Sequence, residues 1–193
     1  MLTLLHKQLI IEIANQPIYA FDATDNIFNY AKTYCTADST YRPTSQHDVK
    51  IYEDGKLIAS CIVIGFDGGT GIHKTAALVD GDVLLLCCSD TIFCFNLPHL
   101  NLQWKTKADP VTCFQIIQQA DNYLIHGEVQ ITKLDKRGAK IWEFFGADIF
   151  ITMDKTPSFI VENHEILLTD FSGNKYTIDF DGRLIEIKQA KNQ

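Results

Sequence analysis

From about Asp48 onward the chain is written in short apolar runs separated by turn residues, among them VKIY, KLIASCIVI, VLLLCC, TIFCF, VQITKL, KIWEF and KYTIDF. The runs are rich in Val, Ile, Phe, Tyr and Thr, which fit a pleated, half-buried surface. Turn signals at such short intervals predict many short antiparallel strands. The first 48 residues read differently. Lys7 to Ile13 and Ile18 to Phe21 suggest short strands around the turn Asn15-Gln16-Pro17. Thr24 is a fair N-cap for a short helix near residues 24–35, with Ile27, Phe28, Ala31 and Tyr34 at helical spacing. The polar stretch TADSTYRPTSQHD then reads as a loop or boundary. The expected organisation is one domain over 1–193, with an irregular segment over 1–48 and repeated β units over 49–193.

The repeat lies in three segments: DGDVLLLCCSDTIFCFNLPHLNLQWKTK, ADNYLIHGEVQITKLDKRGAKIWEF and ENHEILLTDFSGNKYTIDFDGRLIEIK. Each runs as turn, apolar strand, acidic turn, alternating strand, tight turn, strand. The tight turns fall near Pro98, Gly138 and Gly182, about 40 residues apart. A weaker copy with its turn at Asp54-Gly55 precedes them. Trp104 and Trp142 occupy the same place after the tight turn, and Ile185 takes it in the last copy. Recurrence by repeat position favours packing between sheets over ligand stacking for the two indoles.

A unit of this length with four short strands is the size of a propeller blade. Within it, Leu134 to Phe144 (LDKRGAKIWEF) resembles the strand-turn-strand-Trp pattern of quinoprotein-type (PQQ-like) β-propeller repeats, and the likeness extends over residues 80–188. The resemblance implies blade-like sheets and carries no quinone cofactor with it. The expected fold class is all-β with one short helix, its small antiparallel sheets arranged as a propeller or an open stack; a β-sandwich is the alternative.

Charge narrows the partners. The 17 basic and 24 acidic side chains leave a net charge of −7, which argues against nucleic acid or an anionic membrane as partner. No apolar run approaches the ~18 residues of a spanning helix. His6, Lys7 and Gln8 interrupt the apolar N-terminus, so no secretory signal is read and a cytoplasmic location is expected. The charge is uneven, with 6 basic and 11 acidic residues in 1–96 against 11 and 13 in 97–193. Five of the six cysteines (Cys61, Cys87, Cys88, Cys94 and Cys113) lie inside apolar runs and are expected to be buried and reduced. Cys87 and Cys88 point to opposite faces of a strand and cannot clamp one metal together.

Three groups of residues carry candidate chemistry. The run G-G-T-G-I-H-K-T from Gly68 has His73 where a phosphate-binding loop needs its second Gly, and a strand-like run follows in place of a helix. It reads as a connection between sheets, with Lys74 the one residue a phosphate would use. His126 and Glu128, two apart on a strand, share a face and together with Asp148 and Lys74 define a conceivable ligand pocket. No short histidine spacing supports a metal, and neither metal nor cofactor is expected. The third group comes from the repeat: Asp90, Glu128 and Asp170 fall at one point of the three units and would share a rim, suited to a basic protein. The leading expectation is a non-catalytic protein-binding module. A ligand-binding protein or enzyme using His126, Glu128 and Asp148 comes second. A self-associating scaffold, dimerising through open sheet edges, comes third.

Overall fold

The structure is a computed structural model that describes residues 1–20, 23, 24, 26–37, 42–154 and 156–190. Among these, the regular elements are strands. β1 (Leu2–His6), β2 (Leu9–Asn15), β3 (Lys32–Cys35), β4 (Ser45–Glu53) and β5 (Lys56–Gly65) form a first sheet in the order β1-β2-β4-β5-β3. β3 runs parallel to β5, and the other pairings are antiparallel. Three four-stranded meanders follow. The second sheet is β6 (Ala77–Asp80), β7 (Val83–Cys88), β8 (Thr91–Asn96) and β9 (Leu102–Lys107). The third is β10 (Cys113–Gln119), β11 (Asn122–Gly127), β12 (Gln130–Asp135) and β13 (Lys140–Phe145). The fourth is β14 (Phe159–Glu162), β15 (Glu165–Thr169), β16 (Lys175–Asp179) and β17 (Leu184–Lys188). The three repeat units seen in the sequence are these three meanders.

The sheets stack face to face, with one apolar core between each successive pair. Ile11, Ile13, Val49 and Val63 of the first sheet meet Leu84, Leu86, Phe93 and Phe95 of the second. Leu85, Cys87 and Ile92 of the second meet Cys113, Ile116 and Ile125 of the third. Leu124 and Ile131 of the third meet Ile166, Leu168 and Ile178 of the fourth. Alternate side chains of β7 thus serve two cores, which is why its sequence LLLCC is apolar without interruption: the strand is buried on both faces. Cys61, Cys87, Cys88, Cys94 and Cys113 are buried thiols. Burial pushes the Cys87 and Cys94 thiols up, the latter to about 12, so they pack as small apolar groups.

The helix expected near 24–35 is not present among the described residues. Lys32–Cys35 is β3 instead, paired with Cys61–Ile64. Phe28, Tyr30 and Tyr34 are also compatible with a period of two, and the extended chain uses them that way. The Tyr30 hydroxyl donates to Asp48 at 3.3 Å, the Lys50 ammonium lies 5.5 Å from the Phe28 ring, and Tyr34 packs on Phe95. Ile62 and Ile64 are fully buried, although they alternate with the Cys61 and Val63 that face the second sheet. Residues 28–31 therefore pack on part of the outer side of the first sheet, beside Asp48, Lys50 and Ser60, while Ile10 and Ile58 on that side stay exposed. Ile18–Ala20 forms no strand, and Phe21 lies outside the described residues. β1, β2 and β3, all from the segment expected to be irregular, belong to the first sheet.

The recurring Trp and Gly have a joint explanation. The Trp104 indole donates to the Lys136 carbonyl at 3.2 Å, and Trp142 donates to the Phe180 carbonyl at 3.0 Å. Each indole lies on the tight turn of the next sheet. A Cβ on Gly138 would sit 2.5 Å from the Trp104 ring, and one on Gly182 would sit 2.7 Å from Trp142. Both glycines have positive φ, +80° and +79°. Asp135 and Asp179 close these turns identically, each accepting two backbone N–H groups. Each Trp is thus a clamp on the following sheet; in the fourth sheet the pairing puts Glu186, not the expected Ile185, at their position, opposite Thr177 as Trp104 is opposite Cys94 and Trp142 opposite Lys133. Gly138→Ala is expected to cost about 2–4 kcal/mol, combining left-handed strain with a ring clash. Gly55→Ala, with φ +75° and nothing within 4 Å of its Cβ, should cost only about 1–2 kcal/mol from strain alone. Thermal unfolding of the two variants separates the terms.

Candidate functional site

The turns between β7 and β8, β11 and β12, and β15 and β16 lie at one end of the stack, interleaved with the three connections between sheets. Backbone bonds tie them in series. Cys113 N donates to the Ser89 carbonyl at 2.7 Å and Glu128 N to the Thr112 carbonyl at 2.8 Å. Phe150 N donates to the Glu128 carbonyl and Phe171 N to the Ile149 carbonyl, both at 2.7 Å. Main-chain groups that would be orphaned at strand ends are thereby satisfied across sheet boundaries, and the rim is fixed as one body.

Asp90, Glu128 and Asp170 occupy equivalent turns on this rim but differ in environment. Asp90 is 3% exposed, accepts from the Thr91 hydroxyl at 2.7 Å and pairs with Lys107 at 2.7 Å. Asp170 is 1% exposed and accepts from Asn174 N, the Asn174 amide and the Tyr176 hydroxyl at 2.7–2.9 Å. These two carboxylates are engaged inside the fold. Glu128 is half-buried and carries no ion pair among the described residues.

The strongest polar node on the rim is Asp109, which no sequence motif marks. It is 1% exposed. One oxygen accepts from Val111 N and Thr112 N at 2.7 and 2.9 Å, the other from Val129 N and Gln130 N at 2.9 and 3.0 Å. A single carboxylate therefore joins the second-to-third connection to the turn after β11. A Cβ on Gly127 would lie 2.1 Å from its oxygen, so the Gly between His126 and Glu128 is required by this contact. Asp67 and Asp148 stand in the other two connections. The three recur about 40 residues apart in Phe66-Asp67, Ala108-Asp109 and Ala147-Asp148, the signal that could have found them. Burial and the nearby Asp90 raise the carboxyl of exposed Asp67. Asp148 accepts from the Ser172 hydroxyl at 2.6 Å and from Ile149 N at 2.9 Å, and these bonds hold its carboxyl below the usual range. The solvent-accessible carboxylates of the rim are thus Asp67, Glu128 and Asp148.

His126 is buried between the third and fourth sheets, at 3% exposure. Its ring stacks on Phe159 with centroids 5.0 Å apart, and Nε2 lies 2.9 Å from the Phe150 carbonyl. Burial lowers its pKa to about 4, so it stands neutral at pH 7. Glu128 has left the strand for the turn, and Lys74 is exposed. Among the described residues no hydrogen bond or ion pair joins any two of His126, Glu128, Asp148 and Lys74, and no cluster of three or more His, Cys, Asp or Glu could hold a metal. After His73-Lys74 the chain enters β6, with no helix N-terminus to face a phosphate.

No protein-family model matches this sequence, and no curated protein does. Solved structures do. The AfRom2 CNH domain is 11% identical with a TM-score of 0.53, over 97% of this chain and 53% of that one. The computationally designed Ika8 protein is 9% identical with a TM-score of 0.52, over 78% and 47%. BamB from Moraxella catarrhalis, a β-propeller, is 14% identical with a TM-score of 0.50, over 74% and 43%. The likeness is one of fold: this chain is propeller-like. It spans about half the length of these structures. What it shares with quinoprotein-type repeats is blade architecture.

Proposed function

We propose that the protein is a non-catalytic protein-binding module whose rim of inter-sheet turns receives a basic partner in the cytosol. The observation that carries this reading is the row Asp67, Glu128 and Asp148, presented by successive sheets on a rim that backbone hydrogen bonds hold rigid. A preformed row costs little to order on binding. A net charge of −7 adds long-range steering toward a cationic surface. Propeller-like folds are typically interaction scaffolds, which supports the class of function and names no partner. Of the three residues singled out by the repeat, Glu128 remains a contact residue, while Asp90 and Asp170 act by shaping the turns around it. The test is affinity capture from lysate with the immobilised protein. Glu128→Lys together with Asp148→Lys is expected to weaken capture of basic proteins at least tenfold at low salt, and Asp121→Lys on the far turn after β10 should leave it unchanged. Capture that ignores the rim charges would refute the reading.

A further inference from the structure

Neither ring nitrogen of His47 has a hydrogen-bond partner, although the side chain is 1% exposed. His126, also buried, has its Nε2 2.9 Å from the Phe150 carbonyl. The Gln46 carbonyl acts on the His47 ring only from outside hydrogen-bond geometry. Buried polar groups are nearly always partnered, so an imidazole idle at both nitrogens needs a reason. Asn15 pairs with His47 across β2 and β4, and Ser45 lies two residues before it, so the three share the inner face of the first sheet. Thr70, in the connection to the second sheet, lies over them. Its N–H donates to the Ser45 hydroxyl at 2.8 Å, and Ile72 N donates to Asn15 Oδ1 at 3.2 Å. The Thr70 hydroxyl lies 3.3 and 3.1 Å from the Ser89 and Cys113 carbonyls, so this wall is anchored beyond the first sheet. These residues border a pocket of about 350 Å³, within the size range of small-molecule sites.

The charge of this pocket is opposite to that of the chain. Arg42 is the one formally charged group among its described lining residues, and no carboxylate joins it, although the chain as a whole carries −7. Arg42 is exposed and makes no ion pair or hydrogen bond among the described residues. Its planar fork matches a carboxylate in two parallel bonds. Asn15 accepts through Oδ1 and keeps its amide hydrogens free among the described residues. Burial holds His47 neutral, and a neutral imidazole supplies one N–H donor without a charge. One cation with neutral donors balances one negative charge. A phosphate dianion would leave charge uncompensated against an acidic chain. Pro17 and Pro43 give the pocket apolar walls for the rest of an organic acid.

We propose that this pocket binds a small organic monocarboxylate, clamped by Arg42 and completed by Asn15 and His47. A turn of the His47 ring about its last side-chain bond brings its N–H onto the bound oxygens and ends its isolation. The inference does not rest on Asp67, Glu128 or Asp148, none of which lines the pocket. The probe is propionate, titrated into the 193-residue chain and followed by calorimetry and by the NMR signals of the His47 ring. Saturable binding with a Kd of about 0.1–10 mM is expected, with the His47 ring signals moving and those of His126 staying in place. Arg42→Gln should weaken binding at least tenfold. Arg42→Lys, which keeps the charge and loses the fork, should weaken it less. Arg42 is exposed, so both variants are expected to fold as the parent does. No saturation below about 50 mM, binding indifferent to Arg42→Gln, a His47 ring that does not respond, or inorganic phosphate bound as tightly as propionate would each overturn the proposal. None of these results bears on capture at Glu128 and Asp148.

Discussion

Asp109→Ala is expected to lower the stability of the protein by about 4 kcal/mol or more, an exceptional cost for a single substitution. The side chain accepts four backbone N–H groups at 2.7–3.0 Å. Removing it leaves those donors without partners at a buried site, where each unsatisfied group costs about 1–3 kcal/mol before water enters. Asp109→Asn should be nearly as damaging, because its amide nitrogen would confront two of the donors. Asp121→Ala, at an exposed turn residue, should stay within about 0.5 kcal/mol of the parent. Urea unfolding at pH 7 reads all three. A loss below about 1 kcal/mol for Asp109→Ala would mean that the inter-sheet connection is held by the cores alone. The same substitution should also disturb the rim, so loss of partner capture in this variant would report the turn geometry and not a direct contact.

Acid should unfold the protein through two buried histidines. His126 and His47 both have pKa values lowered to about 4, with burial the main cause in each. Near their ordinary value of 6.5 the unfolded chain takes up protons that the folded chain refuses. Where the unfolded state binds more protons, stability rises with pH. The contribution is therefore fully present above about pH 6.5 and is lost as pH falls toward 4. A displacement of this size corresponds to about 3 kcal/mol per histidine at the lower end of the window. Asp80, whose carboxyl is lowered chiefly by the bond from Lys136 and further by Tyr123, adds a smaller loss at still lower pH. It joins β6 to the turn after β12, with the Lys136 ammonium 4.3 Å from the Tyr123 ring. Denaturant midpoints measured from pH 7.5 to 4.5 should fall steeply. In a His47→Gln, His126→Gln protein the slope should flatten, even if the midpoint at pH 7.5 is lower. An unchanged slope would place the acid sensitivity in the carboxylates.

What was legible in the sequence follows from locality. The apolar runs, the Gly turns and the recurrence of Trp104 and Trp142 report strands and hairpins, whose pairing partners are neighbours in the chain. What was not legible depends on groups far apart in sequence. Taken alone, Ile27, Phe28, Ala31 and Tyr34 give 24–35 a helical spacing. The edge of β5, which claims Lys32–Cys35 as a parallel strand, enters only with the tertiary fold. Asp90, Glu128 and Asp170 are indeed equivalent by repeat position. Their exposure, however, is set by Lys107, Asn174 and Tyr176, which reach Asp90 and Asp170 but leave Glu128 without an ion partner. His126 and Glu128 share a strand face only if the strand continues. Gly127 ends it because the Asp109 carboxylate occupies the space of a Cβ.

Alternation, β-branched content and turn chemistry act over a few residues, so the order of amino acids already dictates an all-β chain of repeated four-stranded units with buried cysteines. The packing of the sheets settles which carboxylates are engaged and which are offered, and it places Glu186, not Ile185, at the position of Trp104 and Trp142 in the fourth sheet. Those outcomes are set by contacts between sheets, where a hydrogen bond or a van der Waals distance joins residues tens of positions apart and no local pattern records it.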